Sequence, residues 1–163
     1  MSNKRRHLFI SHHHKDDAEV SKLTNLLTGK GIDVRNSSVR MKPQNERRME
    51  EKRVNPKVIE RILSMKISWA NTVIVLIGKD THKRDWVNWE IEYAAQHDKR
   101  IVGVFLRGGT DADIPESLTK NGDALVAWNS DKINRAVNGE DIWENPDGSP
   151  RREPIFPISR TVC

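Results

Sequence analysis

A single cysteine, Cys163, closes the 163-residue sequence and has no other cysteine to pair with inside the chain. That excludes an internal disulfide framework and points to a reducing compartment, the cytoplasm. Long apolar runs are missing too. None approaches the roughly 18 residues that a membrane-spanning helix needs, so no membrane attachment is expected. The opening Met1-Ser2-Asn3-Lys4-Arg5-Arg6 is basic, but no adequate apolar segment stands behind it, which argues against a signal peptide. Internal repeats are absent. Aromatic residues make up only 6% of the chain, yet 5 are tryptophan, so several elements have a large anchor to bury.

What is present is charge. Charged residues reach 31%, the net charge is +5 and the pI about 9.5. The basic excess gathers at Lys4 to Arg6 and between Arg40 and Arg61. Such a surplus suits an anionic partner, whether nucleic acid, dinucleotide or acidic protein surface, and equally describes a solvated basic face. The Arg40–Arg61 stretch lacks the interleaved aromatics that stack on bases, which argues against nucleic acid.

Short apolar runs alternate with amphipathic stretches. The runs are His7–Ser11, Gly31–Val34, Thr72–Gly78, Ile101–Leu106 and Ala124–Trp128. The third is the most hydrophobic and reads as a central strand buried on both faces, while the fifth is short enough for an edge. Between the first two, Val20, Leu23, Leu26 and Leu27 recur at helical spacing, with Asp16 and Asp17 at the start and Gly29 and Gly31 at the end. Asn55-Pro56 opens a second helix, whose stripe is Val58, Ile59, Ile62, Leu63 and Ile67. Asp85 opens a third, with Trp86, Trp89, Tyr93 and Ala94 on one broad face, and Ile133 and Val137 suggest a last short helix. This alternation predicts one α/β domain of flavodoxin-like type, a central parallel sheet of about five strands flanked by helices. From Gly139 the pattern gives way to a Pro-, Gly- and charge-rich tail. The expected division is a domain over 1–138 and a tail over 139–163, ending in the apolar Ile155, Phe156 and Ile158 that can pack on the domain or on a partner.

Ligands of open α/β sheets bind beyond the carboxyl ends of the strands. Three loops fall there: Ser11 to Asp17, Arg35 to Asn45, and Gly78 to Glu90. The first carries His12-His13-His14, which invites a metal reading. Neighbouring side chains of an extended segment point to opposite sides, however, and neither a cysteine nor a His-x-x-x-His pair supports them, so no metal is expected. A polar loop with imidazoles facing a ligand, or a plain solvated turn, fits better. Ser-His-His-His-Lys-Asp is not the Ser/Thr/Gly phosphate loop of a flavodoxin. A phosphoacceptor receiver would need an aspartate at the end of the third strand, where Leu76-Ile77-Gly78 stands. In the third loop Glu90 lies one helical turn beyond Trp86, with Glu92 about 200° further round the helix. A carboxylate beside tryptophan near a helix start can bind sugar hydroxyls or stabilise a developing positive charge. Spacing alone leaves an ordinary surface glutamate as the simpler reading.

The run Leu8-Phe9-Ile10-Ser11-His12-His13-His14-Lys15-Asp16-Asp17 resembles the first box of TIR-like domains, an apolar strand ending in Phe-Ile-Ser before a polar loop and Asp. Ser68 to Gly78 is similar to that family's helix-into-central-strand segment, and Trp86-Val87-Asn88-Trp89-Glu90-Ile91 resembles its Trp-x-x-x-Glu motif. Thr81 to Ile91 resembles the Thr-x-x-x-x-Trp-Val-x-x-Glu-Ile pattern of the bacterial TIR-like group that includes the NAD-processing subunit of Thoeris antiphage defence. The resemblance covers roughly residues 5–138.

It implies cleavage of the nicotinamide–ribose bond of NAD, with NAD as substrate and no separate cofactor. Glu90 would be the catalytic carboxylate, Ser11, His12 and His13 would border the nucleotide, and Trp86 would wall the site. It further implies an ADP-ribose-derived product read by a downstream effector protein, and assembly into a homo-oligomer or filament on activation. The His-rich first loop and the basic second loop (Arg35, Arg40, Lys42) depart from common members. A non-catalytic TIR-like interaction module is the alternative.

Overall fold

The structure is a computed structural model, and it describes residues 7–12, 17–36, 56–79, 81 and 85–151. His13, most of the basic stretch from Arg40, and the tail from residue 152 lie outside the described residues.

In chain order the elements are β1 (His7–Ser11), α1 (Asp17–Thr28), β2 (Asp33–Asn36), α2 (Pro56–Trp69), β3 (Thr72–Ile77), α3 (Asp85–Gln96), β4 (Arg100–Phe105), α4 (Glu116–Asn121), β5 (Ala124–Val126) and α5 (Ser130–Val137). The strands form one parallel sheet in the order β2-β1-β3-β4-β5. β3 holds the centre with every residue buried, as its apolar run predicts, and β5 lies at the edge. The order reverses between β1 and β3, since the chain leaves β1 toward β2 and leaves β3 toward β4. That reversal opens a crevice at the carboxyl ends of the two strands.

Strand side chains alternate between faces and build two cores. Leu8, Ile10, Ile74, Leu76, Val102, Val104 and Val126 meet α1 and α5 through Val20, Leu23, Leu27, Ile133 and Val137. Phe9, Val73, Val75, Ile77, Ile101, Phe105 and Leu125 meet α2, α3 and α4 through Ile59, Leu63, Ile67, Val87, Ile91 and Leu118. Each fully buried Leu, Ile or Phe contributes about 1.5–3 kcal/mol. Gly103 keeps β4 close to its cover, because a Cβ there would come within 2.8 Å of Leu125 and 2.9 Å of Leu118.

Helix ends are set by local chemistry. At the end of α1 the Gly31 N–H donates to the Thr28 carbonyl and the Ile32 N–H to the Leu27 carbonyl, with Gly31 at φ +80°. This is a Schellman closure, and the glycine supplies its left-handed residue. α3 ends the same way through Asp98, at φ 57°, and Lys99.

The inward stripe of α3 differs from the sequence expectation. Val87, Glu90, Ile91 and Ala94 are buried, whereas Trp86, Trp89 and Tyr93 are half-buried at the flank. The aromatic rings pack against this core from its margin. Trp89 stacks on Tyr93 and Tyr93 on His97, at 5.4 and 4.1 Å.

Residues 139–151 pack back on the domain. The Leu125 N–H donates to the Ile142 carbonyl and the Glu144 N–H to the Leu125 carbonyl, both at 2.8 Å, so this segment lies along the outer side of β5. Glu144 is buried and accepts a hydrogen bond from the Ala127 N–H, and Arg151 reaches Asp111 at 3.0 Å.

Candidate active site

Ser11 ends β1. It is two residues beyond Phe9, so it faces the layer that carries α3. Glu90 sits on the inward stripe of α3, in the helix's second turn, and is fully buried at 0% exposure. The two meet: the Ser11 hydroxyl donates to Glu90 Oε1 at 2.7 Å, a charge-assisted contact when the carboxylate is ionised. Burial rules out the ordinary surface glutamate that spacing alone allowed. A carboxylate is seldom held fully inside a domain, and this one follows the central strand at the sheet's switch point.

His12, next along, is also fully buried, with Nδ1 3.4 Å from the Ile10 carbonyl. His13 lies outside the described residues. Trp86 stands one helical turn before Glu90, half-buried, with its ring edge-to-face on Trp89 at 5.7 Å. The structure therefore brings Ser11 and Glu90 into contact and places His12 beside Ser11, while Trp86 belongs to the aromatic flank of α3.

One further residue shapes this end of the sheet. Thr81 is fully buried, accepts a hydrogen bond from the Gly78 N–H at 2.9 Å, and returns its own N–H to the Gly78 carbonyl at 3.1 Å. Gly78 and Thr81 are thus tied to each other just beyond β3. The only signal of Thr81 in the sequence is its place at the head of the Thr81–Ile91 pattern. Among the described residues no group of three or more His, Cys, Asp or Glu is arranged to hold a metal ion. No helix among them is long and apolar enough to cross a membrane.

A five-stranded parallel sheet in this order, flanked by helices, is the architecture of a TIR-like domain. The chain belongs to the family described as Thoeris protein ThsB, TIR-like domain, whose model matches residues 9–111. Among solved structures it is similar to the Clostridium botulinum CMP N-glycosidase BcmB, at 14% identity and a TM-score of 0.51 over 82% of this chain and 98% of that one. It is also similar to the TIR domains of the activated Roq1 resistosome that directly recognises the pathogen effector XopQ, at 20% identity and a TM-score of 0.45 over 80% and 69%. No curated protein matches the chain.

Proposed function

We propose that this protein breaks the N-glycosidic bond between nicotinamide and ribose in NAD, with Glu90 as the catalytic carboxylate. The observation that carries the reading is the buried 2.7 Å contact between the Ser11 hydroxyl and Glu90 Oε1. Membership of the Thoeris ThsB family supports it. The similar fold of BcmB, named as a CMP N-glycosidase, adds a second N-glycoside to test.

The chemistry follows from the charge. As the bond from the anomeric carbon to the pyridinium nitrogen breaks, its electron pair neutralises the ring and leaves an oxocarbenium-like ribose. A fixed anion beside that carbon or its hydroxyls stabilises the developing positive charge. Water then adds to the anomeric carbon and loses a proton, giving ADP-ribose; capture by a group of the same molecule gives a cyclic product. In a site removed from bulk water the carboxylate's field is less screened, so its effect is greater. Ser11 holds the carboxylate in one rotamer. Because Glu90 is closed to solvent, NAD must displace whatever covers it. Activation by assembly of copies, a product read by an effector protein in antiphage defence, and a cytoplasmic setting complete the proposal.

The full burial of Glu90 also favours a second reading, an interaction module in which the Ser11–Glu90 pair only holds the fold. The two part on one experiment. Purified protein is incubated with NAD or CMP, with and without extract of phage-infected cells, and free base is measured by mass spectrometry. Nicotinamide release by the wild type that Glu90→Gln abolishes is expected. Equal release by the variant, or none from either protein while both are folded, overturns the catalytic reading.

A further inference from the structure

The carboxyl end of the sheet holds a second feature that neither Ser11 nor Glu90 lines. It is a recess of about 420 Å³, within the range of small-molecule sites, about 300–1,000 Å³. It opens on the other face of the sheet, the side of α1. Glu19 and Lys22 come from α1, Lys79 follows β3, Arg107 follows β4 and Trp128 follows β5. Four separate segments converge on it at the strand ends where open α/β sheets bind ligands.

Local structure fixes the cations there. After β4 the chain makes a turn over Leu106 to Gly109, closed by the Gly109 N–H to the Leu106 carbonyl at 2.9 Å, with Gly108 at φ +82°. A left-handed residue at the third position is the mark of a type II turn, and it puts Arg107 at the outer corner. The turn is set hard against the end of β3. The Leu106 N–H donates to the Ile77 carbonyl at 2.9 Å, and a Cβ on Gly109 would lie 2.4 Å from that same oxygen. Two glycines in sequence therefore hold Arg107 at the recess, across from Lys79, which lies two residues beyond Ile77.

The charges are not balanced. Lys22 approaches Glu19 only at 3.8 Å, with its own side chain largely exposed. Neither Lys79 nor Arg107 makes an ion pair among the described residues. Among the described residues three cations face the recess against a single carboxylate; like charges repel one another, and an anion between them relieves that repulsion. Trp128, half-buried against the apolar core of this face, supplies a flat wall. Cations for phosphate beside an indole for a ring define one class of ligand.

We propose that this recess is a second ligand site, which takes the phosphate groups of a nucleotide on Lys22, Lys79 and Arg107 with the base stacked on Trp128. The site uses no group of the Ser11–Glu90 pair and does not rest on the glycosidic reading.

The test is calorimetric titration of the full chain with AMP and, separately, with inorganic pyrophosphate at low ionic strength. The wild type is expected to bind both at one site, more weakly as salt is raised. The double variant Lys79→Ala/Arg107→Ala is expected to weaken both by roughly tenfold or more. Both residues are exposed; should the double variant fail to fold, Arg107→Gln alone keeps the comparison. Trp128→Ala is expected to weaken AMP and leave pyrophosphate unchanged. Glu90→Gln, and Lys30→Ala at the far end of α1, are expected to change neither. Absence of saturable binding by the wild type overturns the proposal, as does an equal loss in Lys30→Ala, which would mean general charge attraction. Loss in Glu90→Gln would put the ligand at the other site and overturn it too. A Trp128→Ala variant that binds AMP as the wild type does would overturn the nucleotide assignment.

Discussion

The two ends of the sheet are finished in opposite ways. At the amino end, polar groups are paired at short range near the surface. The His7 N–H meets Asn71 Oδ1 at 3.1 Å, the Ile101 N–H meets Asp123 Oδ2 at 2.9 Å, and Arg100 donates to the Ala136 and Glu140 carbonyls and to Asp141. At the carboxyl end Ser11, His12, Thr81 and Glu90 are all fully buried, and the cations of the neighbouring recess stand together. Burying polar and like-charged groups costs free energy unless they are well paired. Such groups persist where the surrounding fold holds them, which makes the amino end a place of stability and the carboxyl end the place where the proposed chemistry falls.

Substitutions at the two ends put that contrast to the test. Glu90→Gln keeps an acceptor for the Ser11 hydroxyl, so we expect a nearly unchanged melting temperature and about a thousandfold loss of nicotinamide release. A large fall in melting temperature with this variant would make the buried pair a structural device instead. Arg100→Leu at the opposite end removes three hydrogen bonds and should cost about 2 kcal/mol in urea unfolding. Turnover per folded molecule should stay the same; a parallel drop in turnover would show that the ends are not separable. Ser11→Ala frees the Glu90 rotamer and should lower turnover about tenfold, or 1.4 kcal/mol of barrier, measured as kcat at saturating NAD.

The smallest effect concerns pH. The Glu140 carboxyl is held below its ordinary 4.5, first by its hydrogen bond from Arg135 and then by that residue's charge. Asp147 is held below its ordinary 3.8 by the hydroxyl and N–H of Ser149. A lowered folded value means stability that is present above the ordinary range and lost as pH falls through the lowered one. Both groups are solvent-exposed, so the contribution is slight and local. Amide resonances of residues 139–151 should shift on acidification below about pH 4 before those of β3 do. Simultaneous loss of both would mean that this segment has no separate acid response.

Much of the fold was legible because it depends on local periodicity. The short apolar run of β1 and the unbroken Thr72–Ile77 run predict a strand on each side of the switch point, and both are there. Glu90 was readable as a candidate but not as a buried residue. Val87, Ile91 and Ala94 bracket it at helical spacing, yet the large aromatics draw attention to the other face, where they cover the seam rather than fill it. The close of α3 at Asp98 carries no glycine to announce it. The recess was hidden for another reason: Lys22, Lys79, Arg107 and Trp128 are far apart in sequence and meet only when α1 and the ends of β3, β4 and β5 come together. The packing of 139–151 was obscured in part because backbone groups of Ile142 and Glu144 tie it to Leu125, and backbone groups are the same in every residue.

The hydrogen bonds that Ile142 and Glu144 make with Leu125 reach beyond the domain's own stability. A bare edge strand recruits strands from other chains, and here the last strand is already occupied by the protein's own backbone. A strand from another copy would have to displace this segment before it could extend the sheet through β5. A truncation after α5 would remove that cover and bare the edge.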